Sequence, residues 1–501
     1  MGFLLLLLGL AVYLVAAFSF PLTRGEAMYA LIPAEMLAAG QWIAPILNGV
    51  PFLDKPPLLY WINLLSFQVF GVSDWAARLP TLALTLGEIW VTFLIGRLLF
   101  SNRAAKLGAF ILLTSLGFFS LHLALYTDHL ITLSLGLALY ALLRWRERPE
   151  LRWVLLFHFC LAAGFLSKSL IGLAFPLLIG SLYAWQSRQP RLCSLFFHPG
   201  GLALAGFLIV PWFAAMEHYY PWFWWHQLVN ENLLRFLGQR QANESMVSLP
   251  LFWLFLGVWL MPWTVLLPEA VYRYLRGGWK KDYEGAGVLL IIWPAVILGV
   301  FSLSSLRIEY YSLPALPALA LILGWRLDRY LASPRDAVIP VALLVLALIF
   351  YETGFLLRLL EESGVGSRRE FMGILPSLRP LAHQVSLIIP FLALLGVFLG
   401  RRHRLAVGAY GGLALALLFF TYQAHMILAP QISDKVTGEY VRRHCAEKDL
   451  AVMESQEEYE YGASFAFYAR RHILMVKRND LPRFPYRLDP QKDYLISPAK
   501  L

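Results

Sequence analysis

Apolar residues in this chain come in long blocks, not in alternation. From Leu4 to Phe420, stretches close to the roughly 20 residues that an α-helix needs to cross a hydrocarbon core recur with only short polar interruptions. The block from Trp153 to Trp185 is too long for one crossing at the rise of an α-helix, so it predicts a hairpin broken at Ser167-Lys168-Ser169. Two shorter apolar stretches, Ala30 to Ala39 with Gly40 as its stop and Leu58 to Phe70, predict helices lying along the membrane surface, with Trp42, Tyr60 and Trp61 at headgroup level. After Gln423 the hydropathy falls. Strand-like pieces at Leu450 to Met453 and His472 to Val476 predict a small soluble α/β unit.

The expected architecture is an all-α polytopic membrane protein of about thirteen crossings. It divides into a transmembrane domain over residues 1–422, including an outer interfacial segment over 22–80, and a soluble outer domain over 423–501. Met1 to Pro21 is read as the first membrane helix, because it lacks the basic start and small-residue cleavage pattern of a signal peptide.

Composition supports this reading. With 59% hydrophobic and 15% charged residues, the chain carries more apolar surface than a soluble fold can hide. The net charge of +10 would suggest nucleic acid in a soluble protein. Here the basic residues sit between apolar blocks, at Arg103 and Lys106, at Arg144 to Arg152, at Arg188 and Arg191, at Arg273 to Lys281, at Arg326 to Arg335 and at Arg401 to Arg404. That distribution marks the cytoplasmic side and makes no nucleic-acid track. Parity between these clusters puts the N-terminus inside and the C-terminus outside. The segment Leu356 to Pro380 falls outside despite Arg358, Arg368, Arg369 and Arg379. The three cysteines are scattered and form neither a disulfide framework nor a zinc spacing.

The same parity sorts the chemically unusual segments to the outer face. Lys55, between Asp54 and Pro56-Pro57, is either a cation snorkelling to lipid headgroups or a clamp on a donor phosphate. Glu26 and Asp128 are carboxylates at the edge of hydrocarbon, where charge is costly. Asp128 is either an N-cap or a catalytic group, and Glu26 either the partner of Arg24 or another loop arginine, or a general base. His218 to Phe236 mixes aromatics with Asn230, Glu231, Asn232 and Arg235, as a sugar site or as an aromatic belt. Arg307, Tyr310 and Tyr311 follow Ser304-Ser305 as a second phosphate contact, an acceptor site or a structural loop. A divalent metal held by His226, Glu231 or Asp54 has no ligand spacing behind it, so no cofactor is assigned. Without a Gly-rich phosphate cradle on the cytoplasmic side, a membrane-borne donor fits better than a soluble nucleotide.

Glu26-Ala27-Met28-Tyr29-Ala30, Glu35-Met36-Leu37, Gly40-Gln41-Trp42, Asn48-Gly49, Leu53-Asp54-Lys55-Pro56-Pro57, Arg78-Leu79-Pro80 and Thr127-Asp128 resemble, in this order, the glycosyltransferase family that includes the aminoarabinose transferases of lipid A and the protein O-mannosyltransferases. Leu166-Ser167-Lys168, Pro211-Trp212, Glu231-Asn232, Arg235-Phe236 and Leu313 to Pro317 extend the likeness to about residue 320. The resemblance implies a GT-C fold in an inner membrane, an active site on the outer face, and inverting transfer from a polyprenyl-phosphate sugar to a lipid, glycan or protein acceptor. On this basis Glu26 and Asp128 would be catalytic and Lys55 and Arg307 would hold the donor phosphate, while Tyr29, Tyr60, Lys168, Glu231, Arg235, Tyr310 and Tyr311 would line the substrate. The family has an Asp-Glu pair followed by an arginine, where this chain has Gly25 before Glu26 and Met28 after it. The rival readings are a transporter of a lipid-linked substrate and a non-catalytic membrane scaffold.

Overall fold

The computed structural model describes residues 2–239, 247–278, 283–333, 337–351, 369–399, 402–446, 451–455, 462–477 and 495–496. Lys280, Lys281, Arg335, Arg358, Arg368 and Arg401 lie outside the described residues.

The first helix, α1 (Gly2–Ser19), ends at Phe20-Pro21, and the chain turns by 71° into α2 (Arg24–Ala38). That bend suits a membrane helix handing over to one that lies along the surface. Gly40, at φ +64, ends the surface helix where the sequence puts its stop. A two-residue antiparallel hairpin, β1 (Ile46–Leu47) and β2 (Val50–Pro51), follows, and then α3 (Leu58–Phe70) with the expected bounds. Next come α4 (Asp74–Leu99), α5 (Asn102–Leu113), α6 (Leu116–His122), α7 (Asp128–Glu147), α8 (Leu151–Lys168) and α9 (Leu170–Gln186).

The expected hairpin break is present: Lys168 is the last residue of α8, and Ser169, at φ +56, leaves the helical region before α9 begins. The two arms touch backbone to backbone. A Cβ at Gly172 would lie 2.0 Å from the Gly164 carbonyl carbon, so only glycine fits there.

Six helices among the described residues are long and apolar enough to cross a membrane, and up to nine if each of three bent pairs counts as one crossing. Helices such as α9, with 17 residues, and Val338–Tyr351, with 14, account for part of the difference from the thirteen that parity predicts. The basic connectors converge on one end of the bundle. Arg103 pairs with Asp328, Arg326 with Glu269, and Arg146 bonds Tyr183 Oη at 3.0 Å. This is the far end of α7 from Asp128, and thus the far end from Lys168.

The main apolar core joins α4, α5, α7 and α9 to the helices beyond residue 288. A second core lies outside it, where Tyr29, Tyr60, Phe67 and Leu125 pack with Ala463, Phe467 and Ile473. The C-terminal unit therefore sits on the segment 22–80. It contains the parallel strands β3 (Ala451–Ser455), β4 (Ile473–Lys477) and β5 (Leu495–Ile496), in the order β3-β4-β5. Arg24 pairs with Asp434 and Lys435 with Asp74, Tyr468 Oη accepts from Leu22 N, and Asn48 exchanges two hydrogen bonds with the Ile473 backbone. The preceding membrane helix runs His403–Leu428, so the boundary expected at residue 422 falls inside a helix and moves to its end.

Candidate active site

Asp128 opens α7, but it is not the cap. The preceding residue, Thr127, occupies that place, and the Asp128 carboxylate reaches across to α8, where Oδ1 accepts from Lys168 Nζ at 2.7 Å. The same ammonium lies 4.3 Å from the centre of the Tyr311 ring. Tyr310 stacks on Tyr126 with centroids 4.6 Å apart, Tyr126 meets Tyr29 edge-on at 6.0 Å, and Tyr29 faces Tyr60 at 6.3 Å. Burial, with Tyr126 and Asp128 nearby, holds the Tyr310 phenol well above its ordinary range, so it stays a donor. Five of the residues expected from sequence, Asp128, Lys168, Tyr29, Tyr310 and Tyr311, thus line one aromatic recess, and Tyr60 extends it.

A second group forms on the segment before α3. Residues His226–Leu234 make a π-helical stretch, whose i→i+5 repeat brings His226 and Glu231 to one side. Gln227 Nε2 ties this stretch to the Leu53 carbonyl beside Asp54. Glu231 then receives Lys55 at 3.8 Å and Arg235 at 3.4 Å, while His226 Nε2 lies 3.5 Å from Asp54 and 3.7 Å from Glu231. Asp54, His226 and Glu231 each offer one ligand atom within 4.8 Å of the others, a grouping that their sequence spacing does not reveal. Only the residues from Pro56 to Leu59 separate Lys55 from Tyr60, so this charged group adjoins the aromatic recess along the chain.

Two expected residues lie elsewhere. Glu26 is buried and ion-paired with Arg78, and it also accepts from Thr23 N at 2.8 Å, the reciprocal half of a capping box. Arg78 in turn donates to the carbonyls of Phe20, Pro21 and Leu123, so the pair closes the end of α1. Thr23-x-x-Glu26 was a readable signal for this helix start, which lies several residues before the periodic stretch beginning at Ala30. Arg24 is occupied by Asp434. The Arg307 carbonyl accepts from Val247 N, and its buried Nε and Nη1 meet no hydrogen-bond partner among the described residues. Arg235 is the second cation beside Lys55. Gly25 faces the recess, since a Cβ there would meet only Tyr126 Oη, at 3.8 Å.

Residues 54–214 match a family profile described as dolichyl-phosphate-mannose-protein mannosyltransferase. The undecaprenyl phosphate-alpha-4-amino-4-deoxy-L-arabinose arabinosyl transferase of Aeromonas salmonicida (strain A449) is 30% identical over 309 residues, covering 60% of this chain and 54% of that protein. The protein of the same name from Pseudomonas aeruginosa (strain LESB58) is 30% identical over 344 residues, 64% of this chain and 60% of that one. The chain thus spans little more than half the length of these curated relatives. The crystal structure of ArnT from Cupriavidus metallidurans bound to undecaprenyl phosphate superposes with a TM-score of 0.82 at 21% identity, over 95% of this chain and 86% of that one. Its apo form gives the same score over 99% and 89%. At such identity the likeness establishes the fold. By that fold the chain is a multi-pass membrane protein of the GT-C class, and in sequence it is similar to the aminoarabinose transferases over little more than half of their length.

Proposed function

We propose that the chain is an inverting glycosyltransferase of the inner membrane, moving a sugar from a polyprenyl-phosphate donor to a lipid A-like acceptor at the outer face. The observation that carries this reading is the pairing of Lys55 and Arg235 on one carboxylate, next to a tyrosine-lined recess that holds Asp128. Glu231 keeps the two cations in place until a donor phosphate takes them over. As the bond from the anomeric carbon to the phosphate oxygen breaks, they neutralise the second charge appearing on the phosphate. The acceptor oxygen forms its bond from the opposite side. A hydroxyl acceptor gives its proton to Asp128, whereas a phosphate acceptor is already ionised and gives up none. Tyr29, Tyr60, Tyr310 and Tyr311 supply ring faces and hydroxyls to the sugar, and Lys168 holds the Asp128 carboxylate in position. Arg307, whose buried Nε and Nη1 meet no hydrogen-bond partner among the described residues, is assigned to an anionic acceptor. Glu26 is assigned to structure, and residues from Ala429 onward to a unit that holds the outer segment in place.

The named relatives support this donor class, and a glycan or protein acceptor is the second choice. The test incubates purified protein with a polyprenyl-phosphate aminosugar and a lipid A acceptor and measures released polyprenyl phosphate. Release by wild type and none by Lys55→Ala supports the reading. Movement of intact donor across a vesicle without release would make the chain a transporter, and neither activity would leave a scaffold.

A further inference from the structure

Beneath Asp128 lies a pair of titratable groups that the proposed chemistry does not use. On α4, the residues Arg78, Thr81, Thr85, Glu88 and Thr92 recur at alternating spacings of three and four, which places them along one helix face, and all five are buried. A core-facing stripe normally carries apolar residues, and polar ones inside a membrane are costly unless partnered. Two histidines meet this stripe. His122, at the end of α6, places Nδ1 2.9 Å from Thr85 Oγ1. His129, the second residue of α7, places Nδ1 2.8 Å from Glu88 Oε1 and Nε2 2.9 Å from the Leu121 carbonyl. Neither the Glu88 nor the His129 side chain has any solvent exposure.

The partners fix where the proton is. A carbonyl oxygen only accepts, so His129 Nε2 carries a hydrogen. Nδ1 then faces Glu88 either as the acceptor of a protonated carboxyl or as the donor to an ionised one. In both cases the two groups share one proton between them and carry no net charge, the condition that hydrocarbon tolerates. Glu88 Oε2 has no hydrogen-bond partner among the described residues, so the bond to His129 is what orients this carboxyl.

That bond holds the beginning of α7. Thr127 makes no side-chain cap bond, and the Asp128 carboxylate is turned towards α8. The next side chain, about 100° further round the helix, ties the first turn to α4 and to the last carbonyls of α6. We propose that Glu88 and His129 are the positioning pair for Asp128: their shared-proton bond sets the rotation and depth of the first turn of α7, so that Asp128 meets Lys168 at the recess. The kinetic consequence rests on the transferase reading, whereas the geometric one does not.

The experiment therefore has two readouts, labelling of Lys168 by a water-soluble amine reagent and steady-state sugar transfer. Glu88→Gln keeps an N–H that can donate to His129 Nδ1, and its Lys168 labelling and kcat should stay within about threefold of wild type. Glu88→Leu frees the turn. Labelling should rise to the level of Asp128→Asn, and kcat should fall by roughly tenfold or more, with the donor KM unchanged because Lys55 and Arg235 lie on other segments. Adding Glu88→Leu to Asp128→Asn should do no further harm, since both act through one group. Multiplying effects in that double variant, or wild-type labelling in Glu88→Leu, would overturn the pair. Should Glu88→Leu fail to fold, His129→Gln, which can still donate to Leu121, decides by the same labelling. An inactive wild type removes the transferase reading and leaves the labelling result to judge the pair.

Discussion

Asp128 and Lys168 begin one membrane helix and end the next, and their side chains meet at 2.7 Å with the ammonium also over the Tyr311 ring. The contact holds a carboxylate at this end of the bundle without leaving it uncompensated. Asp128→Asn should lower kcat with a hydroxyl acceptor by roughly 100-fold, the scale of a lost general base. With a phosphate acceptor it should cost much less. Comparing the two acceptors separates a proton-accepting role from an orienting one, and equal losses on both would rule out the former.

The cations beside Glu231 lead to a second expectation. Lys55→Ala or Arg235→Ala removes a charge-assisted contact to the donor phosphate, each worth about 1.5–3 kcal/mol, or roughly 10–100-fold in affinity. Arg307→Ala should leave the binding of polyprenyl phosphate unchanged. Titrating each purified variant with polyprenyl phosphate checks this. Weakening by Arg307→Ala alone would return Arg307 to the donor site.

How much of this was readable beforehand depends on distance along the chain. The break at Ser167-Lys168-Ser169 follows from helix length alone, and α3 from one uninterrupted apolar stretch. The strands β3 and β4 were readable because β-branched and apolar residues there stand out in a polar background. Arg78 as the partner of Glu26 was not readable, because the pair is made by tertiary packing. Arg235 and Arg307 could not be ranked for the same reason: the π-helical stretch that carries Glu231 to Lys55 has no local signature. The Arg78-Thr81-Thr85-Glu88-Thr92 stripe was visible as a heptad-like spacing, yet its polar content disguised a buried face.

The Glu26–Arg78 pair makes a prediction about stability. Removing one member of a buried, multiply bonded ion pair costs about 3–5 kcal/mol, because the other charge is left uncompensated. Glu26→Gln should lower the thermal midpoint markedly, while the activity per folded molecule stays close to wild type. A stable but inactive Glu26→Gln protein would restore Glu26 to the chemistry.

Glu35 links the outer segment to the C-terminal unit. It accepts from Gly49 N at 2.9 Å and lies 3.8 Å from His472 Nδ1. Burial pushes its carboxyl up to about 7 from 4.5. A raised carboxyl favours the fold when protonated, so its contribution is complete below pH 4.5 and is lost as pH rises through 7. The shift corresponds to something on the order of 3 kcal/mol. The thermal midpoint should fall between pH 5 and pH 8, and Glu35→Gln, neutral throughout, should flatten that slope. An unchanged slope in the variant would assign the pH dependence to other groups.

The grouping of Asp54, His226 and Glu231 raises the question of a metal. Lys55 and Arg235 already approach Glu231 at 3.8 and 3.4 Å, so a cation bound to that carboxylate would compete with both. A polyprenyl-phosphate sugar is a phosphodiester and adds a single negative charge. The Lys55 ammonium and the Arg235 guanidinium can meet that charge without a further cation. Transfer should therefore survive EDTA with less than about a twofold loss, far short of the several kcal/mol that a catalytic metal supplies. Loss of activity in EDTA, restored by magnesium or manganese, would instead make these three side chains ligands of a catalytic ion.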